Sequence, residues 1–220
     1  MKSIAGLTAW TSILVLVATV TVVGVIACGE ATTDTPTDTP YKLTHSAADT
    51  EYILDWDLIV SRCPDIGDYD RIEAFAYRGE SVKISPTENL TLDLDSPAAW
   101  ASTRLVRSEW AGESFRSFAV NTMFCETAEN LDELVQKLGF PVQQEGDFVT
   151  AVLESETPMR SIQLLLAGKN FIIHIGEFAS AGKSLFFDKE GLDELLAIAR
   201  SKISALEVTP LPPGVPERQL

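Results

Sequence analysis

Histidine is almost missing from this chain: there are two in 220 residues, His45 and His174. A serine or cysteine triad therefore has little to draw on, and a histidine-rich zinc site has less. Cysteine is also scarce, at positions 28, 63 and 125, with no Cys-x-x-Cys pair. Thioredoxin-like redox chemistry has no support, and neither does a metal centre built on distant cysteines and one histidine. No Gly-x-Ser-x-Gly elbow and no glycine-rich phosphate loop occurs. Basic residues are short: 17 Lys and Arg stand against 32 Asp and Glu, a formal net charge of −15. Such a surface repels phosphate backbones, so no nucleic-acid partner is expected. Solubility is reason enough for the acidity. No cofactor is expected.

What the chain does have is a long uncharged apolar start. Residues Ile4 to Ala27 carry no charge, Lys2 precedes them, and Ile13 to Ile26 is rich in Leu, Val and Ile. Such a run is a secretory signal or a membrane anchor. Its end, Val25-Ile26-Ala27-Cys28, resembles a bacterial lipobox. The resemblance implies that residues 1–27 are a lipoprotein signal peptide and that Cys28 becomes a diacylated N-terminus. Two acyl chains suffice for stable attachment where one is marginal. An uncleaved anchor is the alternative. Both give one topology, because no Lys or Arg follows Lys2 until Lys42, so the chain beyond Cys28 faces away from the cytoplasm. The expected location is the cell membrane, on its extracytoplasmic side.

Residues 28–42 read as a tether of Thr, Asp and Pro, with too little apolar surface to offset the entropy of ordering. Residues 43–206 have the size of one domain. Residues 207–220 contain four prolines, at 210, 212, 213 and 216, and read as a flexible tail. Within the domain, helical spacing marks Asp188 to Leu206 and Thr127 to Gly139. Alternation marks strands in "SFRSFAVNTMFCE" and "DFVTAVLES". "MRSIQLLLAGKNFIIHIGEF" reads as a hairpin turning at residues 167–170. "RIEAFAYRG" and "SVKISPTENLTLDLD" read as shorter strands, with Pro86 limiting the second. "SPAAWASTRLVRSEW", Ser96 to Trp110, reads as a helix, and "TEYILDWDLIVSRC" as a helix leading into an edge strand. The expected class is α+β: an antiparallel sheet with helices on its faces. From Phe115 to Leu206 the order of "TAENLDELVQKL", "GKNFIIHI" and "LDELLAIARSKI" resembles PsbP/Mog1-like sandwiches. That resemblance implies a protein that binds partners or assists membrane complexes, and not an enzyme.

Few side chains suggest chemistry. Cys63 and Cys125 form either a disulfide, allowed outside the cytoplasm, or two separate buried thiols. His174 alternates with Ile173 and Ile175 and reads as a sheet-face histidine held by a neighbour. Asp65, Asp68, Asp70 and Glu73 lie close in sequence around Gly67, hard oxygen ligands of a kind that suits Ca²⁺. Asp93 and Asp95 share one face of a short strand. Trp56, Trp100, Trp110, Phe115 and Phe118 read as core. The leading expectation is a non-catalytic, membrane-anchored lipoprotein that binds an envelope protein or a small ligand. The alternatives are an envelope hydrolase using clustered carboxylates and a calcium-stabilised module.

Overall fold

The computed structural model describes residues 41–43, 53–83, 91–94, 97–107, 115–156 and 159–210. The apolar run, Cys28, the tether to residue 40, His45, Pro86, Asp95 and Trp110 lie outside them. Strand β1 is Tyr41–Leu43. Helix α1, Trp56–Arg62, leads into a 3-10 turn, Pro64–Asp68. Then come β2 (Arg71–Tyr77), β3 (Ser81–Lys83), β4 (Thr91–Asp93), β5 (Ala98–Arg107) and β6 (Arg116–Cys125). Helix α2, Ala128–Leu138, precedes β7 (Val142–Glu145), β8 (Phe148–Ser155), β9 (Arg160–Gly168) and β10 (Phe171–Ala179). Helix α3, Lys189–Ala205, and β11, Val208–Pro210, complete the order. Seven strands form one antiparallel sheet, ordered β2-β5-β6-β10-β9-β8-β7. The class is α+β, as expected.

Strand parity divides the core. On β6, Phe118, Val120 and Phe124 join Ile173 and Ile175 of β10 under α1 and α3. Ala119, Met123 and Cys125 join Ile172 on the other face, under Leu134 and Val135 of α2. Two of the helices expected from the sequence, α2 and α3, start at side-chain caps. Thr127 Oγ1 accepts the Asn130 amide at 3.1 Å and Asp188 Oδ1 accepts the Gly191 amide at 2.8 Å. Gly139, at φ 68°, ends α2 in the left-handed region. The β9–β10 hairpin turns on two residues, Lys169 and Asn170, both at positive φ, which matches the right-handed twist of its strands. Asn170 Nδ2 also donates to the Cys125 carbonyl at 2.8 Å.

Four expectations need correction. Residues 98–107 are a strand, not part of a Ser96–Trp110 helix. Ala98 to Val106 is buried on both faces, so no period shows in its polarity, and pairing with β2 and β6 overrides the helix propensity of its alanines. The segment after α1 is a 3-10 turn and not an edge strand. β7 was not foreseen. The domain also runs past 43–206 at both ends: Tyr41–Leu43 pairs antiparallel with Val208–Pro210, taking two residues from the tether and three from the tail.

The base of the molecule lies where α3 ends. Lys169 Nζ, from the β9–β10 turn, donates to the Ser204 and Leu206 carbonyls at 2.5 and 3.4 Å, placing a cation on orphan carbonyls of the helix end. The loop 180–187 between β10 and α3 is at the opposite pole.

Candidate functional site

That distal loop is tied down by a carboxylate. Glu177 of β10 is fully buried and points to the α1/α3 face. Its two oxygens accept the consecutive amides of Phe186 (2.8 Å) and Phe187 (2.9 Å). Burial pushes its pKa up to about 8, against the pull of those two amides and of Arg116 and Arg160. Phe186 receives three further contacts. Cys63 Sγ donates to its carbonyl at 3.3 Å, Tyr69 meets its ring edge-on at 5.1 Å, and the Arg116 guanidinium lies 3.8 Å from its ring centre. Arg116 also donates to the Leu185 carbonyl at 3.0 Å. The arrangement fixes a loop, and both oxygens of the carboxyl group are engaged in holding it.

His174 sits three residues earlier and so faces the α2 side. Asn121 Nδ2 lies 3.2 Å from its Nδ1, and Gln163 Oε1 lies 3.3 Å from its Nε2. With the proton on Nε2, the ring accepts from Asn121 and donates to Gln163. Burial lowers its pKa to about 4, so the ring is neutral at pH 7. Phe140 packs against it, ring centres 5.6 Å apart. The sheet itself separates His174 from Glu177, so the two cannot share a proton in one acid–base step.

The residues singled out in the sequence are dispersed. Cys63 and Cys125 are free, buried thiols, and the disulfide alternative is not realised: Cys63 belongs to the core under α1 and α3, Cys125 to the core under α2. Burial raises both thiol pKa values, that of Cys125 to about 12, so neither is a ready nucleophile. Asp65, Asp68 and Asp70 are exposed in and just after the 3-10 turn. Glu73 points to the sheet face instead, 3.3 Å from Arg104 Nε. Among the described residues, no three His, Cys, Asp or Glu side chains are grouped as a metal site requires. Asp93 contributes backbone to β4. Trp56, Trp100, Phe115 and Phe118 are buried. The Arg71 and Arg104 guanidiniums lie 5.5 and 5.6 Å from the Trp56 ring centre.

Sequence reasoning missed Glu177 and the polar pair around His174. The signal for Glu177 was parity: in "FIIHIGEFA" it shares its face with Ile173 and Ile175. It also missed the exposed β7–β8 hairpin, where Val142, Val152 and Leu153 stand in solvent. Among the described residues, no helix is long and apolar enough to cross a membrane. Compared with known proteins, the chain matches no family model, no curated protein and no solved structure.

Proposed function

We propose that this chain is an extracytoplasmic lipoprotein, anchored through acylated Cys28, whose α+β domain binds a protein partner at the cell envelope without catalysis. The finer fold assignment, a PsbP/Mog1-like sandwich, belongs to the same proposal. The observation that carries the binding role is the β7–β8 edge, where three large apolar side chains are exposed on one hairpin. The absence of catalysis is supported by the use of the buried polar groups. Glu177 holds a loop, His174 is enclosed by two amides, and the two lie on opposite faces of the sheet. The anchor is supported by the Val25–Cys28 pattern and the charge asymmetry around it. Mass spectrometry of the mature protein tests the reading. The expected species begins at Cys28 with two or more acyl chains, and Cys28→Ala lacks them while the melting temperature of its domain is unchanged. A chain that starts at Met1, or a non-acylated species in the aqueous phase, overturns the lipoprotein assignment.

A further inference from the structure

We draw no further inference here: the strongest candidate, the side-chain cluster between α1 and the β2–β5 pair where the buried Trp56 indole N–H has no acceptor among the described residues and lies in a ring flanked by the Arg71 and Arg104 guanidiniums, carries nothing, because Glu73 and the Leu54 carbonyl already engage Arg104 and nothing in the structure shows what would reach the enclosed N–H.

Discussion

Glu177 and His174 stand on the same strand, and burial moves their protonation in opposite directions. The folded Glu177 holds its proton up to about pH 8, whereas the ordinary carboxyl value is 4.5. As pH rises from 4.5 to 8 the unfolded chain has released a proton that the folded chain keeps, so stability falls and then levels off. His174 titrates near 4 when folded, against an ordinary 6.5. As pH falls from 6.5 to 4 the unfolded chain takes up a proton that the folded chain refuses, so stability falls in that direction. The two effects oppose each other between 4.5 and 6.5, and Glu177 acts alone between 6.5 and 8. Denaturant titrations at pH 6.5 and 8.0 should therefore find the protein less stable at the higher pH, by at most about 2 kcal/mol, the limit for one proton over that interval. Glu177→Gln should be less stable overall, because one of the Phe186 and Phe187 amides loses its acceptor, but flat across the window. A slope that survives this substitution assigns the dependence to another group. Position 177 was readable in part. Its parity is plain, but a glutamate in an apolar strand gives no sign of which amides will meet it, since Phe186 and Phe187 come from a loop that only the tertiary fold brings back.

At the scale of elements, legibility followed one rule: patterns show where one face is wet. Helix α2 has a solvent-exposed side, a threonine cap and a closing Gly139, and its ends fall one residue inside the expected range. β5 has no wet face, and its Ala98, Ala99 and Ala101 favour a helix in isolation. β7 fails for the opposite reason, being exposed on every residue. The β9–β10 hairpin was legible because its turn chemistry is local, and that turn gives a graded test. Asn170 adopts φ 68° and its side chain bonds the Cys125 carbonyl. Asn170→Gly keeps the backbone conformation and loses the hydrogen bond, at a cost of about 1 kcal/mol. Asn170→Ala loses the bond and also strains a left-handed position, adding about 1 kcal/mol more. Thermal melts should rank wild type above Gly above Ala. Equal losses for the two variants would show that the turn relaxes out of the positive-φ geometry.

At the scale of the whole molecule, the two ends of the domain leave from one place. Tyr41–Leu43 pairs with Val208–Pro210, beyond the α3 terminus that Lys169 caps. The expected tether therefore enters the domain at its base, and the loop held by Glu177, with the exposed Asp65, Asp68 and Asp70, lies at the far pole. The ribbon was invisible in the sequence because each strand has three residues and its partner lies more than 160 positions away, a separation no local pattern spans. Its contribution can be measured by where the chain is cut. A chain ending at Pro210 retains β11 and should melt with the full-length protein. A chain ending at Leu206 keeps the α3 carbonyls that Lys169 bonds but leaves β1 without a partner. It should melt a few degrees lower and expose the bonds around Tyr41–Leu43 to proteolysis, while β6, β9 and β10 keep their exchange protection. If both truncations behave alike, the ribbon adds nothing to stability, and the tether joins the domain at Ile53 and not at Tyr41.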